Sequence, residues 1–475
     1  MTFTRQSIAR LWDRTVFVSL LIVIALTAIP YGTVQPWWRE IFDCVMFLIT
    51  ALAVGHAFIS KDWSVNCSLL PPLLALILFS VFQSLPWFSS SGSLSPPRIS
   101  LSDDPYGSRL FATQLFALTL VTILLLRYTS NRARLRQLIY VVIGVGLASA
   151  LFGIARKNLQ QESGFLLPAL PVGGRGFAQF INRNHFGFLA EMSLGLTLGL
   201  VFGGGGRHRR ILVLLPVAAL LWVALIYSGS RGGILASLCQ LLFLGVLLDP
   251  VRYLTKEQAH TSWGRFQKLA GGFAIRAFLV VCLISFFAYG VGWVGGEPVV
   301  SNFQQAATEF SQQEMENNTN TSRKEIWSAT WRMIRAHPFT GVGFGGYWIG
   351  ITRYHSASGE MTPQQAHNDY LELLASGGLI GTALVIWFVV AVLRKTIPGL
   401  RSREPYLRAA CLGALTGIFG VAVHSFVDFG LHVTINALVV FALTVICVQT
   451  GFLSANGASI GSRPAIDGAS ATGSH

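Results

Sequence analysis

Long apolar runs separated by short polar or basic stretches recur along the whole chain. A bilayer core takes about 20 apolar residues per helix. Runs of that order predict about twelve spanning helices, at 15–31, 41–59, 69–87, 110–126, 138–155, 186–202, 211–227, 233–248, 277–294, 372–393, 409–427 and 431–450. Arg5, Arg10 and Arg14 ahead of the first run resemble the start of a signal peptide. That run is long enough to span and lacks a small-residue cleavage site, so it reads as the first helix. With the N-terminus in the cytoplasm, the junctions at 60–68, 127–137, 203–210, 249–276 and 394–408 become cytoplasmic. Four of these five are clearly basic, with Arg127, Arg132, Arg134 and Arg136 in one and Arg207, Arg209 and Arg210 in another, as the positive-inside rule requires. Both termini then face the cytoplasm. The tail at 455–475, rich in Gly, Ser and Ala, reads as disordered, leaving 1–454 as one integral membrane domain. No internal repeat is visible.

The opposite face carries the longer loops. The stretch 88–109 is rich in Ser and Pro and reads as a surface connection, and Ser228-Gly229-Ser230-Arg231-Gly232-Gly233 is a short turn that places one arginine between two helices. The segment 295–370 is the longest, about 75 residues, and loops of that length are functional or disordered. It holds structure of its own. Ser322-Arg323-Lys324-Glu325 has the form of a capping box. Ile326, Trp327, Thr330, Met333 and Ile334 follow at helical spacing until His337-Pro338 stops the pattern. Trp327 and Trp331 suit a helix at the membrane interface. The glycine-rich stretch from Gly341 to Trp348 then leads back towards the membrane.

Composition agrees with this outline. Of 475 residues 52% are hydrophobic and 12% charged, about half the charge of a soluble domain. This excludes a soluble protein and makes the lipid bilayer its environment. A net charge of +14 would suggest nucleic acid for a soluble chain; here cytoplasmic loops account for it, and no nucleic-acid partner is expected. The six cysteines lie mostly inside apolar runs without a CxxC pair. They read as small core hydrophobes rather than disulfide or zinc ligands.

Candidate chemistry centres on Ala366-His367-Asn368-Asp369-Tyr370-Leu371-Glu372, where the long polar segment meets an apolar helix. His367 alone could be a satisfied structural residue. Its neighbours Asn368 and Asp369 offer hydrogen-bond partners, and a neutral imidazole can take a proton from a hydroxyl such as that of a sugar. Arg183, Arg231 and Arg323 lie on the same non-cytoplasmic face, against the positive-inside trend. Each could be a snorkelling or capping arginine, but guanidinium clamps phosphate oxygens bidentately, and three beside a base suggest a pyrophosphate site. Glycines around Arg231 would let backbone N–H groups approach an anion. Arg175 and Arg353 are weaker candidates, and Lys324, Arg332 and Arg335 read as solvated positions. Glu191 could pair with Arg183 or Arg231 or hydrogen-bond within the bundle; His424 and Asp428, spaced i,i+4, read as a structural pair on one helix face, and His432 is a further polar group in the apolar region. No His, Glu or Cys cluster has metal-ligand spacing, so no metal and no cofactor are expected.

His367-Asn368, nine residues, then Gly378-Leu379-Ile380-Gly381-Thr382 resembles the His-Asn-x9-Gly-x-x-Gly-Thr signature of the O-antigen ligases and, more broadly, their superfamily with Wzy-type polymerases. Asn182-Arg183-Asn184-His185-Phe186, Ser230-Arg231-Gly232-Gly233, and Arg323-x3-Trp327 leading to His337-Pro338-Phe339-Thr340-Gly341-Val342-Gly343 are similar to segments of that superfamily. The likeness covers roughly 180–395. It implies an all-α polytopic membrane protein with one large, partly helical periplasmic loop, in a Gram-negative inner membrane. It also implies an inverting, metal-independent glycosyltransferase with a periplasmic active site and a glycan donor on undecaprenyl pyrophosphate. By motif position His367 looks like the base, and Arg231 and Arg323 like pyrophosphate ligands, with Arg183 a third. Asn368, Asp369, Asn184, His185 and Glu191 are expected to support them. The acceptor stays open among lipid A–core, another lipid-linked repeat unit and a protein serine, and other polysaccharide-assembly proteins are candidate partners. The alternative from another class is a transporter or flippase of lipid-linked saccharides, although no pair of corresponding Gly- or Pro-broken helices is visible in two halves.

Overall fold

The computed structural model describes residues 5–64, 67, 69–89, 98–159, 176–204, 208–248, 323–355 and 363–461. Its helices are α1 (Arg5–Thr27), α2 (Pro36–Ser60), α3 (Leu70–Ser84), α4 (Pro105–Tyr128), α5 (Arg132–Leu159), α6 (Arg183–Phe202), α7 (His208–Ser228), α8 (Arg231–Leu247), α9 (Arg323–Ala336), the single turn α10 (Tyr347–Gly350), α11 (Asp369–Leu400), α12 (Pro405–His424) and α13 (Thr434–Gly461). Every expected span within the described residues falls on a helix; 277–294 and the loop portion 295–322 lie outside them. Among the described residues eight helices are long and apolar enough to cross a membrane, while α3 and α8 are apolar but shorter.

Several expectations need correcting. The first helix begins at Arg5, and the last runs to Gly461, into the stretch expected as tail. The segment 88–109 is more than a surface connection. It contributes to a two-stranded antiparallel hairpin, β1 (Pro86–Ser89) with β2 (Arg98–Ser100). Ser102 and Ser108 beyond it are buried, and the Ser108 hydroxyl donates to the Phe344 carbonyl at 2.7 Å. Arg353, a weaker anion-site candidate, is paired with Asp103 at 2.9 Å.

Helix α6 is the centre of the bundle, with every residue from His185 to Val201 buried. It packs against α12 through glycines. A Cβ on Gly199 would stand 2.1 Å from Gly413 Cα, and one on Gly195 2.6 Å from the Gly417 nitrogen, so any larger residue would push the two backbones apart. Gln240 of α8 locks this pair, donating to the carbonyls of Glu191 (2.9 Å) and Thr416 (3.0 Å). Glu191 pairs with neither candidate arginine. Its carboxylate faces His424 Nδ1 at 3.0 Å, both side chains fully buried, and the imidazole stacks on Phe188. His424 and Asp428 also do not share a helix face, because α12 ends at His424 and Asp428 lies in the connection beyond it.

Helix α11 is broken at Gly378, where φ is 60° and ψ is −162°. The break is filled by the turn after α9. The Leu379 and Ile380 N–H groups donate to the carbonyls of Pro338 (2.8 Å) and Phe339 (3.1 Å), and the carbonyls of Ala375 and Ser376 accept from Val342 (2.9 Å) and Gly343 (3.0 Å). Buried Gln83 of α3 reaches in, donating to the carbonyls of Thr340 (2.6 Å) and Ser376 (3.0 Å). Thus the two separated motifs, 338–343 and 378–382, form one interlocked unit that sets the height and direction of the half-helix carrying Asp369 to Gly377.

Candidate functional site

His367 sits in the turn before α11 with a φ of 50°, a left-handed conformation uncommon for a residue with a Cβ. Its neighbours hold that turn from several directions. Asn368 is the N-cap of α11, its side-chain oxygen accepting from Tyr370 and Leu371 N–H at 3.0 Å each, which explains asparagine at this place. The Asn368 amide donates to the Phe426 carbonyl (2.9 Å). Asp369 N–H donates to the Ser425 carbonyl (2.9 Å), and its carboxylate accepts from the Ser425 hydroxyl (2.7 Å). Trp327 of α9 donates its indole N–H to the Ala366 carbonyl (2.9 Å), which docks the start of α9 on the residue preceding His367. Asn368 and Asp369 therefore position the turn.

The His367 Nδ1 faces Asp428 Oδ1 at 3.5 Å. That separation is long for a good hydrogen bond and right for an ion pair once the ring is protonated. Asp428 is fully buried, with its Oδ1 accepting the Phe429 N–H at 2.9 Å. Burial pushes this carboxyl up, but His367, His424 and the Phe429 N–H outweigh it and leave Asp428 below the ordinary carboxylate range, hence ionised. Its other oxygen accepts from the Asn184 amide. Asn184 in turn accepts from the Ser230 hydroxyl (2.9 Å), and Ser230 caps α8 by accepting from Gly233 N–H.

This polar line joins His367 to two helix starts. Arg183 is the first residue of α6, behind the cap Asn182, and Arg231 is the first residue of α8, behind the cap Ser230. Arg323 is likewise the first residue of α9, exposed, one turn before Trp327. Each arginine thus stands at a helix N-terminus, where the helix dipole already favours an anion. Lys157, at the end of α5, adds a cation beside the α7–α8 turn, with its ammonium on the Tyr227 carbonyl (2.7 Å) and over the Tyr227 ring.

His185 joins the site through an aromatic contact. The Phe429 ring meets His185 (5.1 Å), His367 (4.8 Å) and His432 (6.1 Å), each near edge-on. Glu191 stands apart, deeper in α6 with His424. Arg175 lies outside the described residues. Three residues were not assigned to the site from sequence: Asp428, read as a structural partner of His424 and found against His367, and Glu372 with His432, whose Oε1 and Nε2 are 3.0 Å apart. Their one sequence signal is place: Glu372 closes the histidine motif, and Asp428 and His432 flank Gly430 where two apolar runs meet.

The fold and site define a multi-pass, all-α membrane protein with a histidine–carboxylate pair next to arginine-headed helices. Residues 216–386 match the family model described as O-antigen ligase, which supports a relationship to the O-antigen ligase/Wzy-type family. That match holds Arg231, Arg323, His367 and the break at Gly378, while Arg183 and Asp428 flank it. Comparison with curated proteins found no match.

Proposed function

We propose that the protein transfers a glycan from undecaprenyl pyrophosphate to an acceptor hydroxyl at the periplasmic face of the inner membrane, as a ligase or a polysaccharide polymerase, with inversion and without a metal. The family supports lipid-linked glycan transfer in general. The observation that carries the specific reading is His367, backed by Asp428 at 3.5 Å and tied through Asn184 and Ser230 to the arginine-bearing start of α8.

In this reading His367 is oriented with Nδ1 towards Asp428, leaving Nε2 to take the proton of the acceptor hydroxyl. The acceptor oxygen bonds to the anomeric carbon as the carbon–oxygen bond to pyrophosphate breaks, and the electron pair leaves with undecaprenyl pyrophosphate. Arg231, Arg323 and Arg183 offset the charge on that leaving group. Asp428 stabilises the imidazolium formed at His367.

The purified full chain in nanodiscs, given an undecaprenyl-pyrophosphate-linked glycan and a candidate acceptor, should release undecaprenyl pyrophosphate in step with new glycoside. Movement of the donor across proteoliposomes without release would support a flippase and overturn the reading. Two variants test the parts. Arg231→Lys keeps charge but loses the planar fork, and transfer should fall roughly tenfold or more; unchanged kinetics would make Arg231 a structural cation. Asp428→Asn removes the counter-charge of the imidazolium, so kcat should fall by about 10²-fold with donor KM little changed; an unaltered kcat would detach Asp428 from the reaction.

A further inference from the structure

The strongest feature left over is the pair formed by Glu372 and His432. Glu372 lies one turn into α11 and its side chain is 7% exposed. It is used at both ends. Oε2 accepts the Ala366 N–H at 2.9 Å, and Oε1 stands 3.0 Å from His432 Nε2. His432 sits on the short turn Gly430–His432 that opens α13, with its ring against Phe429. An unbroken set of contacts therefore runs from the α12–α13 connection through one ion pair to the residue that precedes His367. Left-handed backbone at a non-glycine residue persists only where its surroundings over-determine it. Here the caps hold the far side of His367, while Glu372 holds the near side through Ala366 N–H.

We propose that Glu372 and His432 are positioning residues for glycan transfer, a charged clamp that holds His367 in its left-handed turn and keeps its ring aimed at the acceptor. The proposal rests on the reading of His367 as base. Neither residue touches the reacting atoms.

The clamp is sensitive to pH. The groups facing His432 are Glu372 and Asp369 of α11, Arg39 of α2 and His185 of α6. Burial works against charge on His432, but the Glu372 and Asp369 carboxylates outweigh it and raise its pKa from 6.5 to about 9. The sign follows. A raised histidine pKa gives a stabilisation complete below 6.5 and lost as pH rises through about 9. Transfer should therefore decline on the alkaline side near pH 9.

The test uses the full chain in nanodiscs, with kcat and KM measured against pH for the wild type, Glu372→Gln and His432→Asn. Glutamine keeps an acceptor for Ala366 N–H but drops the charge. Both variants should lower kcat roughly tenfold or more, as displaced catalytic groups do, with donor KM within about twofold. The alkaline limb should move down towards neutrality in Glu372→Gln and vanish in His432→Asn. Histidine NMR reads the clamp without activity: the His432 ring should titrate near 9 in the wild type and well below that in Glu372→Gln. An unmoved limb, or a wild-type His432 that titrates at the ordinary value, would overturn the proposal. A normal His432 titration shift in a protein that performs no transfer would instead sink the reading of the function and leave the clamp a structural device.

Discussion

Alanine at His367 should remove glycan transfer almost entirely while leaving the protein folded. A positioned base contributes about 10²–10⁴-fold to such a step, and His367 is the side chain held between Asp428 at 3.5 Å and the Phe429 ring. Folding should survive because the turn is held by its neighbours: Ala366 through Trp327 and Glu372, Asn368 through its cap, and Asp369 through Ser425. The His367 ring is one-third exposed, so its loss opens no sealed cavity. Transfer in nanodiscs and elution as a monodisperse peak, measured on one preparation, separate the two effects. Asparagine in place of His367 should be as inactive as alanine, since it offers a polar group without a useful base. Wild-type rates in either variant would end the assignment of His367 as base, whatever became of the arginines.

The helices were legible because apolar run length and loop charge are local signals, and each described span is found on a helix. His367 was legible for a related reason: a titratable residue at the mouth of an apolar run is conspicuous without a partner. Its partner was not. Asp428 lies 244 residues from Asn184 and two helices beyond His367, and such distances carry no periodicity. Apolar spacing across 409–427 also ran α12 past its true end at His424, so that Asp428 looked like a helical neighbour of His424. In fact His424 serves Glu191 in the bundle while Asp428 serves the turn. The arginines show the converse. The place of Arg183 and Arg231 at the first residue of a helix, which the capping-box pattern showed only for Arg323, is visible once the caps Asn182 and Ser230 are seen at work. The glycines of the ligase signature had no physical account in the sequence, because the strand of chain that fills the break at Gly378 comes from 338–343.

That break supplies the largest expected effect on stability. With φ at 60° and ψ at −162°, Gly378 occupies backbone space that is essentially closed to any residue with a Cβ. An added methyl would also stand 2.3 Å from the Phe339 carbonyl oxygen, 2.4 Å from its carbon and 2.7 Å from the Gly341 nitrogen. These are backbone atoms and cannot rotate away. Relief must come from separating 338–343 from the break, which strips partners from the Ala375 and Ser376 carbonyls and from the Leu379 and Ile380 N–H groups. Gly378→Ala should therefore cost about 3 kcal/mol or more. Gly377→Ala provides the control. Its Cβ would meet the Phe344 ring at 2.7 Å, a side chain that can shift, and its backbone angles are ordinary, so the cost should be about 1 kcal/mol. Thermal inactivation of the two variants in the same detergent should rank Gly378→Ala well below Gly377→Ala. Transfer by Gly378→Ala, assayed below its melting temperature, should also drop, because the half-helix that begins at Asp369 is what the break aims. Equal stability of the two variants would mean that the break is a loose hinge, and His367 would then owe its position to Asn368, Ser425 and Glu372 alone.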